Sequence, residues 1–401
     1  MPETDGVLAR ALLQAPEHKL ALLPAGEARL EAAGTLDIAT AKGPKTLSLY
    51  RISGLDFTPR SVWLDADGNT AALITASGWF SVLSPEYRDS LADLITFQER
   101  ASADWSLRLA RELTHVPEGP LLIRNARLYD PRDLSVMPNT SVLIEGERVV
   151  RVAADAALKA PPNAEILDAS GRFLMPGLWD VHKHYADADG ALDIANGVTS
   201  SRDRAEVRDF IAFLKRNHTV LDPTMGIEED LLAGDPKSKT PPGLKTVGPR
   251  LPPQVQRDLS WGALKVPEGE EHAYEQAFPT MLRLLKALHD AGVTILPGTD
   301  ALAGYMLHSE LILYARAGIP NAEVLRLATL TPAQVLGVAK DRGVIAPGKL
   351  ADLVLIDGDP ITDMNDIRKV DAVFKGGKRF DPAQIERALG IVPRKTAAEE
   401  K

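Results

Sequence analysis

The pattern of apolar and polar positions changes along the chain. In the first region it predicts strands followed by one long helix. Within residues 1–117, short apolar runs such as KTLSLYRISG and TAALITASGWFSVL are separated by Gly, Pro and Asp turns, which is typical of β-strands. A helix is predicted from about Pro85 to His115, because proline is favoured in the first turn of a helix. The pattern predicts an N-terminal α+β extension over 1–117.

Two β-rich blocks flank a middle region of mixed character. LLIRNARLYD and SVLIEGERVVRVA lie in 118–175, whereas GVIAPGKLADLVLIDGD and DAVFKGGKRFD lie in 340–385. Between them, over 176–339, short apolar strands such as VTILPGTD alternate with helical segments such as LHSELILYARAG. Such alternation favours a parallel sheet with right-handed crossovers. The charged end of the chain, 386–401, is predicted to be a flexible tail.

Composition and charge narrow the function classes. The 401 residues are 45% hydrophobic and carry a formal net charge of −9, which argues against nucleic-acid or anionic-membrane partners, since both need concentrated Lys and Arg. No stretch approaches the roughly 18 uninterrupted apolar residues of a membrane helix. The start of the chain has early acids and no apolar run typical of a signal peptide. We therefore expect a cytoplasmic protein that acts on a small-molecule substrate.

Candidate metal ligands are restricted because the chain has no cysteine. Any metal must then be held by His and carboxylate side chains. His182 and His184 stand one residue apart in GLWDVHKHYADADG, at the end of a predicted strand. Residues i and i+2 of a strand point to the same side, so both imidazoles would face one way. Asp300 ends another predicted strand, VTILPGTD.

Taken together, these motifs resemble the metal-dependent amidohydrolase superfamily, near its imidazolonepropionase-like members. The matching stretches run through most of 118–380 in the expected order. They are SVLIEGERVVRV, PGLWDVHKH, NGVTSSRD, HDAGVTILPGTDA, HSELILYARAGIPNAEVLRLATLTPAQVLG and GVIAPGKLADLVLIDGDP. The resemblance implies an α/β fold in which a TIM-type (β/α) barrel over 176–339 is inserted in a composite β-sandwich built from 118–175 and 340–385.

The same resemblance implies roles for individual residues. His182 and His184 would be metal ligands, and Asp300 would be a further ligand or the base that takes a proton from the attacking water. His308, near the start of the following helix, would lie on the active-site side and is a candidate substrate contact. Two His and one Asp can hold Zn²⁺ and leave one position open. We therefore expect a divalent metal, zinc, with one ion favoured over two.

The chain departs from the family in the middle of the barrel. NGVTSSRD leads directly into AEVRDFIAFLKRNHTVLDPT, which resembles the helix before strand 7 and strand 7 itself. Strands 3–6, with the family's bridging Lys and two further His ligands, have no counterpart. The region 176–339 has 164 residues, whereas a complete barrel takes about 250. The sequence therefore predicts an incomplete barrel of four strands.

An incomplete barrel leaves several alternatives open. Four parallel strands cannot close a filled barrel, and open edges invite pairing with another chain. The alternatives are an open four-stranded sheet, which we favour for a single chain, a homodimer that pools two half-barrels, and a poorly folded deletion product. The expected activity is metal-dependent hydrolysis of C–N bonds in non-peptide amides or small peptides. The alternative is a catalytically impaired or non-enzymatic remnant with a binding or structural role. In that case His182 and His184 hold no metal and Asp300 caps the following loop. Asp180 and Asp203 are interpreted mainly as structural hydrogen-bond partners.

Overall fold

The computed structural model describes residues 3–40, 43–75, 81–181, 189–201, 219–233, 240–259 and 263–394. The α-helices in these ranges are α1 (Glu3–Gln14), α2 (Leu91–Leu113), α3 (Asp189–Ala195), α4 (Met225–Leu232), α5 (Pro253–Asp258), α6 (Glu271–Asp290), α7 (Tyr305–Arg316), α8 (Asn321–Leu327), α9 (Leu330–Val335) and α10 (Pro382–Ala388). The strands of the first half are β1 (Lys19–Ala21), β2 (Glu27–Thr40), β3 (Gly43–Ser53), β4 (Arg60–Leu64), β5 (Thr70–Ile74), β6 (Ser81–Leu83), β7 (Thr114–His115), β8 (Leu121–Asp130), β9 (Ser135–Glu145), β10 (Arg148–Ala154), β11 (Glu165–Asp168) and β12 (Phe173–Pro176). The remaining strands are β13 (Leu178–Asp180), β14 (Val198–Ser201), β15 (Val220–Leu221), β16 (Thr294–Ile295), β17 (Leu353–Ile356), β18 (Val370–Lys375) and β19 (Lys378–Phe380).

The N-terminal region forms a six-stranded sheet, β1 to β6, in which consecutive strands pair antiparallel. Successive side chains of a strand point to opposite faces, and β4 shows the consequence. Val62 packs in the cluster that includes Leu12 of α1, whereas Trp63 packs in the cluster that includes Leu94 of α2. The two helices therefore cover opposite faces of one sheet.

Gln98 is a buried amide that ties α2 to this sheet. The indole Nε1 of Trp63 donates to Gln98 Oε1 at 3.1 Å, and Gln98 Nε2 donates to the backbone oxygen of Ile74 at 2.9 Å. A buried polar group is costly without partners, and these two bonds provide them. The helix is thereby fixed in register against β4 and β5.

The long helix ends earlier than the sequence pattern predicts. It stops at Leu113, after a 3₁₀ turn over Pro85–Ser90 at its start, and Thr114 and His115 form β7, which pairs antiparallel with β19. Thr114 and His115 pair with Phe380 and Arg379 of β19 instead of continuing the helix. The ring Nε2 of His115 lies 2.7 Å from Oε2 of Glu165 in β11.

A nine-stranded sheet joins the blocks that precede and follow the middle region. Its order is β10-β9-β8-β12-β17-β18-β19-β7, and β11 also pairs with β8. The join is the antiparallel pair β12–β17, in which Phe173 faces Ile356 and Met175 faces Val354. All four of these side chains are fully buried. The sandwich arrangement of the two blocks stays a prediction.

The middle region contributes short parallel strands and helices, so the chain is α/β, as predicted. Strand β13 pairs in parallel with β14, and β15 pairs in parallel with β16. The two pairs form separate two-stranded sheets, and the backbone N–H of Val181 donates to Pro297 O at 3.2 Å, which links the segments that follow β13 and β16. The helix predicted within 205–217 lies outside the described residues. The absence of barrel strands 3–6 stays a prediction.

Helices of this region pack around the strands through a common core. Leu282 and Leu285 of α6, Leu311 and Tyr314 of α7, and Ile295 of β16 belong to one buried cluster. Across the described ranges, no helix combines the length and apolarity needed to cross a membrane.

Candidate active site

The ends of β13 and β16 meet at a buried side-chain hydrogen bond. Asp180, the last residue of β13, is 0% exposed, and its Oδ2 accepts a hydrogen bond from Thr299 Oγ1 at 2.9 Å. Thr299 is itself buried and directly precedes Asp300. Together with the backbone bond from Val181 to Pro297, this contact holds side by side the two chain segments that lead to His182 and Asp300.

The predicted histidine ligands fall in a part of the chain that is not described. His182 and His184 lie within 182–188, which are outside the described residues. Asp203, within 202–218, is also outside them. Among the residues that are described, no group of three or more His, Cys, Asp or Glu side chains is arranged to hold a metal ion. The ligand roles of His182, His184 and Asp300 therefore stay predictions.

Asp300 has an unusual backbone conformation. Its φ is 46°, in the left-handed region that L-residues adopt at a cost, although Asp tolerates it better than most. Such a conformation persists only where the surroundings impose it, and it is frequent at functional sites. Here the surroundings include the buried Thr299–Asp180 bond immediately before it. The side chain is half-buried.

His308 is more deeply buried than a simple substrate contact would be. It lies in the first turn of α7, is 1% exposed, and its Nε2 is 2.6 Å from Asn196 O. Because a carbonyl oxygen only accepts, Nε2 carries the hydrogen. Burial, with the neighbouring charge of Arg368, lowers the pKa of His308 to about 3. The imidazole is therefore neutral near pH 7, and only Nδ1 is left for a ligand. The predicted substrate contact is not tested by this geometry.

The structure also contains a buried acid that the sequence reasoning missed. Glu310 of α7 is fully buried, and its two carboxyl oxygens accept the backbone N–H groups of Met225 (3.0 Å) and Gly226 (2.7 Å) at the start of α4. Burial raises the pKa of Glu310 to about 8, although these N–H groups act to lower it. A signal was present in the sequence, since Glu310 falls within the apolar face of a helix, beside Leu307 and Leu311.

A second buried acid, Asp230 of α4, stabilises the following loop. Its Oδ1 accepts from the backbone N–H of Gly243 at 3.0 Å. Burial raises the pKa of Asp230 to about 6, against the lowering effect of that bond. Ser309 of α7 donates to Gly243 O at 2.8 Å. Both backbone groups of Gly243 are thus bound, which connects the loop to α4 and α7.

Comparison with known proteins supports the motif analysis. Residues 273–380, which include Asp300 and His308, match the model of the amidohydrolase family. An adenine deaminase of Rubrobacter xylanophilus is 23% identical over 355 residues, which cover 65% of this chain and 59% of that protein. An imidazolonepropionase of Anaeromyxobacter dehalogenans is 37% identical over 75 residues, 17% of this chain and 18% of that protein. Among solved structures, the ochratoxinase of A. niger is 18% identical, with a TM-score of 0.42, over 66% of this chain and 96% of that one.

The family match and the curated relatives confirm the resemblance to the amidohydrolase superfamily that the sequence motifs indicate. The chain spans 59% of the length of the adenine deaminase and smaller shares of the other curated relatives that it matches.

Proposed function

We propose that this chain is a metal-dependent hydrolase of C–N bonds, with one divalent ion, Zn²⁺, held by His182, His184 and Asp300. The observation that carries the proposal is the buried bond between Thr299 Oγ1 and Asp180 Oδ2. This bond joins the last residue of β13 to Thr299, which follows β16. In the sequence, His182 and His184 come shortly after Asp180, and Asp300 comes directly after Thr299. The family match over 273–380, which includes Asp300, supports the assignment.

The donor set suits zinc. Two imidazoles and one carboxylate leave one tetrahedral position open, as in catalytic rather than structural zinc sites. The ion would supply Lewis acidity, polarising a carbonyl and bringing the pKa of water to about 7. The ends of parallel strands in α/β barrels are where such sites lie.

The chain's own groups would handle the proton. Asp300 is proposed to accept it from the attacking water as the new C–O bond forms, and to return it to the nitrogen as the C–N bond breaks. Asp180 is a positioning residue, since its carboxylate is occupied by the Thr299 hydroxyl within the protein. Neutral His308 would contact the substrate through Nδ1.

The proposed substrates are small. The curated relatives are named adenine deaminase, dihydroorotase and imidazolonepropionase, and these names point to small nitrogen-containing molecules. We therefore propose a non-peptide amide, or a small peptide, as the substrate class. The assay is hydrolysis of a panel of small amides by the zinc-loaded protein, beside an Asp300→Asn variant. Turnover that Asp300→Asn abolishes supports the proposal. No turnover by either protein supports the non-enzymatic alternative, and equal turnover by both would remove Asp300 from the proposed mechanism.

A homodimer is part of this proposal. In the described residues, β13 and β14 form one two-stranded sheet and β15 and β16 form another. Unpaired edges of this kind favour association, and two copies would supply eight strands. A monomeric mass by light scattering at micromolar concentration would remove this part.

A further inference from the structure

A cavity with a basic wall is lined by His308, the proposed substrate contact, among other residues. Its volume is about 730 Å³, and it is enclosed by parts of α7, α10 and the loop around Gly243. Seven of its lining residues are Arg or Lys and three are Asp or Glu, which gives the wall a formal charge of +4 in a chain of net charge −9. Neither Asp180 nor Asp300 lines it.

The acids of the wall are already satisfied within the protein. Asp381 Oδ1 accepts two backbone N–H groups at the start of α10, at 2.8 and 3.2 Å. Glu386 is bound by the guanidinium of Arg250. Asp371 lies 3.3 Å from Arg172 Nε. Each acid of the wall thus has a partner of its own, and none of these bonds involves Arg368.

Arg368 is a cation of this wall whose bonded side chains carry no charge. Its Nη2 donates to Ser309 Oγ at 3.1 Å, and its Nη1 donates to Asn365 Oδ1 at 3.3 Å, so both of these partners are neutral. Glu229, the acid whose charge acts on it most, is bound to Arg316 at 2.6 Å. Desolvation lowers the pKa of Arg368, but a guanidinium stays charged in proteins.

We propose that this cavity binds a small organic anion whose carboxylate or phosphate group is held by Arg368. A guanidinium has five N–H donors in a planar fork, and the bonds to Ser309 and Asn365 fix its plane while leaving other donors for a bidentate contact. The volume lies in the range of small-molecule sites, about 300–1,000 Å³. The proposal is independent of metal binding and of hydrolysis.

The test is calorimetric titration of the whole chain at low salt with inorganic phosphate and, separately, with succinate. At least one probe should bind saturably, one per chain, and Arg368→Gln should weaken that binding by about tenfold or more, since charged bidentate bonds are among the strongest polar contacts. The stronger probe identifies which of the two oxyanions the cavity prefers. Arg283→Gln, an exposed arginine of α6 outside the cavity, is the matched control and should bind as the unmodified protein does.

Equal binding by Arg368→Gln and the unmodified protein would overturn the proposal, as would the absence of saturable binding by either probe at millimolar concentration. Ligand-free melting checks that the variant folds. If Arg368→Gln fails to fold, Arg368→Lys decides. It keeps the charge but loses the fork, so weaker binding supports the proposal and unchanged binding overturns it.

Discussion

The buried carboxyl of Glu310 makes a contribution to stability that falls as the pH rises, the opposite of a carboxylate whose pKa is lowered on folding. Its pKa is raised by burial from an ordinary value of 4.5 to about 8. Between these values the folded protein holds a proton that the unfolded chain has released. The free energy of unfolding therefore falls as the pH rises through this window.

The expected size follows from linkage. Between pH 6.5 and pH 8 the folded site goes from almost fully protonated to half protonated, while the unfolded site stays ionised throughout. The resulting loss is about 1.5 kcal/mol. Asp230 and His308, with pKa values of about 6 and about 3, change charge mainly below this interval. Glu310 therefore dominates among the buried groups with shifted pKa values described here.

Glu310→Gln removes the titration while keeping the size of the side chain. Urea unfolding at pH 6.5, 7.0, 7.5 and 8.0 should show the 1.5 kcal/mol loss in the unmodified protein and a flat profile in the variant. The variant should also be less stable by about 1–3 kcal/mol at every pH, because an amide nitrogen cannot accept the N–H that one carboxyl oxygen now binds. Glu275→Gln, on the exposed side of α6, should keep the slope of the unmodified protein.

Equal slopes for Glu310→Gln and the unmodified protein would refute this reasoning. Such a result would mean that Glu310 is ionised throughout. The two backbone N–H groups at the start of α4 would then outweigh the cost of burial.

Three further predictions concern single side chains. His308, whose pKa is lowered on folding from 6.5 to about 3, contributes a free energy of unfolding that rises with pH between about 3 and 6.5, against the falling contribution of Glu310. The free energy of unfolding of the unmodified protein minus that of His308→Gln, from urea unfolding, should therefore rise over this range; a constant difference would contradict it. Gln98→Ala should cost about 2–3 kcal/mol by the same method because two buried partners lose their bonds, whereas the exposed neighbour change Glu99→Ala should cost less than about 0.5. Asp300→Gly relieves the cost of a positive φ, about 1 kcal/mol, but removes the proposed ligand, so it should lower the zinc content; full zinc content in this variant would contradict the ligand role of Asp300.

Features that depend on residues close together in the sequence could be predicted, whereas features that depend on distant residues could not. The Asp300 motif and the alternation of strands and helices are local patterns, and they led to the amidohydrolase resemblance and the α/β class. The end of α2 could not be predicted in this way, since Thr114 and His115 leave the helix to pair with β19 near the far end of the chain. Local propensity has no access to such a partner.

The properties of the buried groups also depend on distant contacts. The neutral state of His308 comes from burial and from the charge of Arg368 on another element, which together outweigh the opposite effect of the hydrogen bond to Asn196 O. The basic cavity is built from segments spread between Leu167 and Arg394, and no single stretch of the sequence is rich in Arg. Its charge is visible only after folding brings these segments together.

Zinc content tests the central claim most directly. The purified chain would be loaded with zinc, freed of excess metal and measured by elemental analysis, beside a His182→Ala/His184→Ala variant and a His272→Ala control, in which an exposed histidine of α6 is removed. About one zinc per chain is expected in the unmodified protein and the control, as for a site with three protein ligands, and almost none in the double variant. Equal zinc content in all three proteins, or none in any of them, would contradict it.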